Sequence, residues 1–192
     1  MQHSDQPYIE LRKARIAIEA MGTARSLDEF EENWKEFLGR IERVWNKAYN
    51  HFDKSPKWNG WKGRYEKARK SDPLLSYLVN ARGADEHTVN ETTGLDPSGI
   101  TVNAADRNLP LTIEHMTIKG GHVFINDPSN LRIDFIPQRI KLLPVINRGR
   151  EYPVPYEHFG TPIDPSDVIA LANHAAAYYE AMLEKAEYFF VK

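Results

Sequence analysis

The longest periodic pattern in the chain is a stripe of apolar residues between Phe30 and Tyr49. Its members recur every three or four positions, which places them on one face of an α-helix about six turns long. The four residues before the stripe, SLDE (26–29), have the pattern of a capping box, with Ser26 as the N-cap and Glu29 on the first turn. Because such a long apolar face needs other helices to cover it, the pattern predicts an antiparallel helical bundle.

Further helices are predicted on both sides of the long one. Apolar spacing predicts a helix over residues 8–22, and a short basic helix is expected over 64–70. Asp72-Pro73 supplies the N-cap and the first-turn proline of a leucine-rich helix. The segment DPSD (164–167) precedes a last amphipathic helix that runs towards the end of the chain.

The segment KSPKWNGWKG (54–63) separates the long helix from the basic one. Pro56, Gly60 and Gly63 are expected to break helicity in this segment. Its two tryptophans are expected to fold back onto the bundle. The segment is therefore predicted to be a loop anchored by aromatic side chains.

From about Gly94 onward the helical spacing of apolar residues is replaced by short runs. In these runs apolar and polar residues alternate, and β-branched residues are frequent. Turn signals at Gly120-Gly121 and at DPSN (127–130) separate these runs. Because the connections are short and local, they predict an antiparallel meander, and Pro144 places the last run at an edge or a bulge. The predicted strands cover residues 100–104, 111–118, 122–126, 131–136 and 140–146.

These patterns predict an α+β protein in which an antiparallel helical bundle contains an inserted β meander and ends in a C-terminal helix. The helical portion is expected at residues 8–93, the meander at 94–162, and the C-terminal helix at 163–192, packing on the bundle. A chain of 192 residues is long enough for one ordinary domain with such an insertion.

Composition excludes several classes of protein. The formal net charge of -2 lacks the basic excess of a general nucleic-acid binder, although a local basic groove is compatible with it. The absence of cysteine excludes disulfides and thiolate metal sites. No apolar run approaches the roughly 18 residues of a membrane span, and the first residues lack the pattern of a signal peptide. We therefore expect a soluble cytoplasmic protein without membrane contact.

The segment ARGADEH (81–87) carries two residues suited to phosphate chemistry. Arg82 offers a planar, always-charged guanidinium that can stabilise a phosphorane, and His87 offers an imidazole that can move protons near neutral pH. On an ideal helix the two side chains lie about 140° apart, so either the helix ends or distorts before His87 or the groove is wide enough for both side chains to reach it. The alternative is a solvated helix end, in which Arg82 pairs with Glu86 and His87 is favoured by the helix dipole.

An Arg followed after four residues by a His, near the end of a bundle helix, resembles the signature of HEPN domains. The matching residues are Arg82 and His87, and the resemblance covers the helical first part and the final helix. It implies a metal-independent endoribonuclease without a cofactor, in which the 2′-hydroxyl of RNA is the nucleophile and two copies of the motif meet in a homodimer. It also implies toxin-type or phage-defence RNA cleavage, with an antitoxin as the counterpart. Gly83 stands where the family often has a polar residue, so one hydrogen-bonding group is missing.

A run of cations interleaved with aromatic residues precedes the motif helix. Cations neutralise phosphates and aromatic rings stack on bases, so four cations of this run are predicted to bind RNA: Lys57, Lys62, Arg64 and Arg69. The alternative is a solvated helix whose tryptophans anchor a loop. The run also contains Lys67 and Lys70, and its aromatic residues are Trp58, Trp61 and Tyr65.

The other histidines are weaker candidates for a functional site. His115 and His122 flank a predicted turn and suggest a metal site across a hairpin, but no carboxylate at ligand spacing accompanies them, so exposed strand histidines are expected. His174 is expected at the surface or the edge of the core, the alternative being an approach to His87. Phosphate loops and nucleophile elbows are absent from the sequence.

A second hypothesis for the whole chain belongs to a different class. The chain is then a non-catalytic helical-bundle protein whose β meander is a binding or oligomerisation module. In that case Arg82 and His87 are structural residues, and the position of the motif relative to a partner copy discriminates between the two hypotheses.

Overall fold

The structure, a computed structural model, describes residues 2–87, 91–113, 115–120, 122–126 and 129–191, with the backbone alone at 85–87 and 126. This part of the chain is α+β, with five α-helices and short antiparallel strand pairs. It forms two compact units, which we call the helical unit (Met1–Gly94 with Ile140–Lys192) and the ribbon unit (Leu95–Arg139). None of the helices described is both long enough and apolar enough to cross a membrane.

The helices of the helical unit are α1 (Gln6–Thr23), α2 (Leu27–Phe52), α3 (Trp58–Ser71), α4 (Pro73–His87) and α5 (Val168–Phe190). Three of them begin at side-chain caps, because Ser26, Asp72 and Asp167 each accept a hydrogen bond from the N–H three residues later, at 2.8–3.1 Å. Glu29 completes the first cap by accepting from the Arg25 N–H at 2.9 Å. The predicted starts of α2 and α4 are confirmed.

The predicted apolar stripe of α2 forms the centre of the core. α1 packs against α2 and α5, and α4 packs against α2 and α3, so other helices cover this face. The prediction of one long amphipathic helix inside a layer of helices is confirmed. The buried members of the stripe are Phe30, Trp34, Phe37, Leu38, Ile41, Val44, Trp45 and Ala48.

A buried ion cluster joins α1 to α2. Glu10 is buried and accepts hydrogen bonds from Arg40 Nη1 and from Lys47 Nζ, both at 2.7 Å. Burial on its own raises the pKa of Glu10, but the hydrogen bonds from Lys47 and Arg40 outweigh it and lower the pKa to about 2. The carboxylate therefore stays charged in the folded protein at any ordinary pH.

The start of α3 differs from the prediction. Gly60 and Gly63 were expected to break helicity, but both lie inside α3, and an added Cβ at either position would meet nothing within 4 Å. The helix forms despite the cost of about 1 kcal/mol per glycine because its opposite face is aromatic and buried. Trp58 and Trp61 stack with ring centroids 5.2 Å apart and fold back onto the core, as predicted.

A short hairpin returns to the helices after the ribbon unit. It consists of β7 (Val145–Asn147) and β8 (Arg150–Tyr152), joined by a two-residue turn in which Arg148 and Gly149 have φ of 51° and 76°. Positive φ at both positions is the type I′ geometry that suits a tight hairpin. Two further short strands, β9 (Glu157–His158) and β10 (Thr161–Pro162), pair before α5.

The inserted unit is shorter than the predicted 94–162. Residues from Ile140 onward belong to the helical unit, since Leu142 and Val145 are buried in its core. The Tyr77 hydroxyl on α4 donates to the Leu143 carbonyl at 2.7 Å and fixes this segment against the helix. The predicted strand 140–146 is interrupted at Pro144, giving β6 (Arg139–Leu142) and β7; β6 pairs with β1 (Thr93–Asp96).

The ribbon unit is antiparallel, as predicted, but it is not a meander. β2 (Gly99–Ala104) pairs with β5 (Leu131–Ile136), while β3 (His115–Lys119) pairs with β4 (His122–Asn126). The β3–β4 hairpin therefore lies in sequence between two strands that pair with each other.

Asn130 explains this pairing. Its amide donates to the carbonyls of Asp106 and Leu109, both at 2.9 Å, and its Oδ1 accepts from the Asp106 N–H at 2.6 Å. These bonds hold the segment 106–111 out of the ladder, and pairing resumes only at the bridge between Thr112 and Ser129. β2 consequently has β5, and not the next strand along the chain, as its partner.

Candidate functional site

Arg82 lies half-buried on α4, at the wall of a cavity of about 320 Å³ in the helical unit. We call this the Arg82 cavity. The helix and the β7–β8 hairpin supply its opposing walls, so residues far apart in sequence meet there. Its polar lining residues include Glu42, Asn80, Arg82, Asn147, Arg148 and Tyr152.

Asn147 of β7 packs directly on Gly83. A Cβ at position 83 would lie 2.6 Å from Asn147 Nδ2, which is closer than real Cβ contacts allow. The same Nδ2 donates to Asn80 Oδ1 at 2.9 Å. The amide of Asn147 therefore occupies the space next to Arg82 that a side chain at position 83 would take, and glycine is the residue that permits it.

A second guanidinium reaches the cavity from the hairpin turn. Arg148 has the left-handed φ of the type I′ turn, is exposed, and lines the cavity together with Arg82. The carboxylate of Glu42 in the same wall accepts from Arg69 Nη2 at 2.6 Å, so a cation already offsets its charge. Two guanidiniums and two amides in one concave site suit an anion with several oxygen atoms.

His87 is the last residue of α4. The helix is continuous from Arg82 to His87, so the two Cα positions differ by about 140° around the axis. The expectation that the helix ends or distorts before His87 is therefore wrong, and the wide groove is the remaining alternative. The side chains of Glu86 and His87 lie outside the described residues. The alternative pairing of Arg82 with Glu86 therefore also lies outside them.

Arg69 does not lie on an RNA-facing surface, contrary to the prediction. It is 9% exposed, its Nη2 donates to Glu42, and its Nη1 donates to the Tyr179 hydroxyl. Its guanidinium also lies 4.8 Å from the centre of the Trp45 ring. Burial raises the pKa of Tyr179 to about 12, so this hydroxyl remains a neutral partner. Arg69 is a buried link between α2, α3 and α5.

The other three predicted RNA-binding cations differ in accessibility. Lys62 Nζ donates to the Tyr49 hydroxyl at 2.6 Å and lies 3.5 Å from Glu66, so neighbours on the protein already engage it. Arg64 is exposed and its guanidinium lies 5.0 Å from the centre of the Trp61 ring, while Lys57 is exposed near Phe189.

The aromatic residues of this run face the core. Trp58, Trp61 and Tyr65 are all buried, so they are not platforms for stacking bases. The alternative interpretation, in which the tryptophans anchor the segment, is confirmed for these rings.

The histidines predicted to be peripheral are exposed. His115 is opposite Asn126 and His122 is opposite Lys119, so they do not face each other across the hairpin. His174 is exposed on α5, with its ring 6.2 Å from that of His158. In the part of the chain that the structure describes, no three His, Asp or Glu side chains are placed to hold a metal ion.

Sequence reasoning missed Asn147 and Arg148. The NRG segment (147–149) signals a tight turn, but nothing in it indicates contact with a helix more than 60 residues earlier. No family model matches this chain, and no curated protein or solved structure is significantly similar to it. The function must therefore be argued from the site itself.

Proposed function

We propose that this chain is a HEPN-like, metal-independent endoribonuclease that binds the scissile phosphate of RNA in the Arg82 cavity. The observation that carries the proposal is the convergence of Arg82 and Arg148, with the amides of Asn80 and Asn147, on one cavity beside the Arg-to-His segment. The resemblance of that segment to the HEPN motif supplies the reaction type.

Electrostatics support phosphate as the ligand. Arg82 and Arg148 both line the cavity, and the nearby carboxylate of Glu42 is paired with Arg69. A guanidinium is always charged and presents several N–H groups in one plane, which matches the oxygens of a phosphate. Such donors are most useful to catalysis where negative charge develops, as on a pentacoordinate phosphorus.

The proposed reaction needs no external nucleophile. The ribose 2′-oxygen attacks the adjacent phosphorus, the P–O5′ bond breaks, and the products are a 2′,3′-cyclic phosphate and a 5′-hydroxyl. A base must take the 2′-hydroxyl proton and an acid must protonate the departing 5′-oxygen. His87 is proposed for proton transfer because imidazole titrates near neutral pH, and Arg82 for stabilising the phosphorane.

A homodimer is part of this proposal. Two copies of the motif would supply one histidine as base and the other as acid, which a single His87 cannot do in the same step. On the family resemblance alone, we also propose toxin-type or phage-defence cleavage, with an antitoxin as the regulating partner.

Incubation with RNA in the presence of EDTA tests the proposal. A pool of labelled single-stranded RNA should yield fragments that end in 2′,3′-cyclic phosphate, and the matched 2′-deoxy pool should stay intact. His87→Ala and Arg82→Ala should each lower the cleavage rate at least about 100-fold, in the range expected for loss of acid–base or charge-stabilising groups.

Arg12→Ala is the matched control, because Arg12 is an exposed cation on α1 that does not line the cavity. It should change the rate less than twofold. Intact RNA with the wild-type protein, or equal cleavage by His87→Ala, would remove the proposed activity.

A second candidate function rests on the ribbon unit. One face of the β2–β5 pair is wholly apolar, with Ile100 opposite Phe135 and Val102 opposite Ile133. Phe135 is 81% exposed, and Ile118 of β3 shares an open apolar groove of about 700 Å³ with it. A second copy of this chain presents the same uncharged face and can cover it about a two-fold axis. On this hypothesis the ribbon unit is an oligomerisation module and the protein is not an enzyme.

Light scattering across a concentration series tests this second candidate. The wild-type protein should form a dimer, and Phe135→Ser combined with Ile118→Ser should give a folded monomer whose thermal midpoint no longer depends on protein concentration. Phe124→Ser is the control, since Phe124 is exposed but lies on the opposite face of the β3–β4 pair. A wild-type monomer, or RNA cleavage by the wild-type protein, would count against this candidate.

A further inference from the structure

We propose that a second cavity, built by β8 and the segment after it, binds the nucleobase next to the phosphate held in the Arg82 cavity. The ligand class is single-stranded RNA, so the inference rests on the proposed function for the identity of the ligand. It goes further by naming where a base binds and which residues bind it. The second cavity has a volume of about 240 Å³ and lies within the helical unit. We call it the Tyr156 cavity.

The two cavities adjoin through one side chain. Tyr152 is half-buried and lines both of them. The β7–β8 hairpin also contributes to both, with Asn147 and Arg148 in the Arg82 cavity and Arg150 in the Tyr156 cavity. A ligand that extends from one cavity into the other must therefore carry an anionic group next to a flat or apolar one, as a nucleotide does.

The walls of the Tyr156 cavity suit a planar ring. Tyr156 is 65% exposed and lies in the segment YPVPY (152–156), whose prolines fix the backbone φ on either side of Val154. Single-stranded bases are recognised by stacking on aromatic rings or on guanidinium planes. Tyr156 provides the ring, and the Arg150 guanidinium, 5.2 Å from the centre of the Tyr152 ring, provides the plane.

Two cations line the Tyr156 cavity where the proposed RNA backbone would leave it. Lys70 and Arg150 both line the cavity and are exposed, so the phosphate after the bound base can lie against them. Tyr77 in the wall is already engaged, because its hydroxyl donates to the Leu143 carbonyl. Burial raises the pKa of Tyr77, so its hydroxyl stays a neutral donor to that carbonyl.

This arrangement shifts most of the proposed RNA path from α3 to the β7–β8 hairpin. On α3, Arg69 is buried, Lys62 donates to Tyr49 and the tryptophans face the core, whereas Lys70 lines the Tyr156 cavity. The exposed cations Arg148 and Arg150 and the exposed ring of Tyr156 line the two cavities. The hairpin and the segment after it therefore supply most of the proposed binding groups.

Equilibrium binding to an uncleavable strand tests the inference separately from catalysis. The probe is a fluorescent RNA pentamer with 2′-O-methyl groups throughout, compared with the same strand lacking one base at each position in turn. Wild-type protein should bind the intact strand about tenfold more tightly than one of the abasic strands, the order expected for one stacked base.

Tyr156→Ala should remove that preference and bind the intact and abasic strands alike, whereas Tyr156→Phe should keep it. Tyr188→Ala is the control, because Tyr188 is 74% exposed on α5 and lies outside both cavities. A Tyr156→Ala protein that still prefers the intact strand tenfold would overturn the inference. Failure of the proposed function looks different: either no RNA is cleaved while base-dependent binding persists, or Arg82→Ala leaves binding unchanged.

Discussion

Two phenylalanines, one in the helical unit and one in the ribbon unit, differ sharply in their exposure to solvent. Phe37 of α2 is fully buried among other helices, whereas Phe135 of β5 is 81% exposed on a two-stranded pair. An isolated pair of strands has little stability of its own in water, while a helical layer with a continuous core is stable. The difference indicates that folding stability resides in the helical unit, and that the ribbon unit leaves apolar side chains exposed.

Truncating Phe37 tests where that stability resides. Phe37→Ala leaves a cavity beneath α2 and should lower the free energy of unfolding by about 3–5 kcal/mol. The measurement is urea denaturation followed by tryptophan fluorescence, because all four tryptophans are buried in the core of the helical unit. A loss below about 1 kcal/mol would mean that the helical core is not the main source of stability.

Acid should weaken the helical unit through Glu10. The pKa of Glu10 is about 2 in the folded protein and near 4.3 when unfolded, so the unfolded state binds the proton first as the pH falls. The stabilisation is complete above about pH 5 and should be lost towards pH 2, by about 2–3 kcal/mol in total. In Glu10→Gln this part of the pH dependence should be missing, as measured by denaturation at several pH values. An identical pH dependence in Glu10→Gln would contradict the assignment.

Gly83→Ala should change RNA binding while leaving the free energy of unfolding nearly unchanged. The new Cβ would lie 2.6 Å from Asn147 Nδ2, so the Asn147 amide must leave its hydrogen bond to Asn80. Losing that bond costs about 1 kcal/mol, and alanine in a helix returns about 1 kcal/mol, so stability should change by less than about 0.5 kcal/mol. RNA binding should nevertheless weaken severalfold, and Gly83→Ala combined with Asn147→Gly should remove the steric conflict. A Gly83→Ala protein with unchanged RNA affinity would exclude the Asn147 amide from the site.

Phe135→Ser should have the smallest effect on stability. An exposed side chain contributes little to the core, so the unfolding free energy should stay within about 0.5 kcal/mol of the wild type at low protein concentration. Differential scanning calorimetry at two concentrations measures this. A large destabilisation of the dilute protein would show that the ribbon unit contributes to the fold in a single chain.

Some features of this structure could be predicted because they depend on residues that are close together in the sequence. The helix starts at Ser26 and Asp72 and the apolar stripe of α2 depend on neighbours a few residues away, and all three were predicted from the sequence. The helical state of Gly60 was not predictable in this way, because it depends on how Trp58 and Trp61 pack against distant helices.

Long-range partners account for the other differences. The pairing of β2 with β5 depends on hydrogen bonds of Asn130 to a loop more than 20 residues earlier. Arg69 is buried because Glu42 and Tyr179 lie on other helices. Asn147 and Gly83 are in contact although they lie 64 positions apart in the sequence. No local pattern in the sequence predicts this contact. Arg82 could be identified from its motif, but the groups around it could not.

The salt dependence of RNA binding tests whether the Arg82 cavity holds a phosphate. For single strands, the slope of log K against log salt is about -0.7 for each phosphate contact. Arg82→Ala and Arg148→Ala should each make the slope of the uncleavable pentamer shallower by about 0.7, and the double variant by about 1.4, while Arg12→Ala, at an exposed cation on α1, leaves it unchanged. Slopes that are the same in the wild type and the double variant would contradict phosphate binding in this cavity.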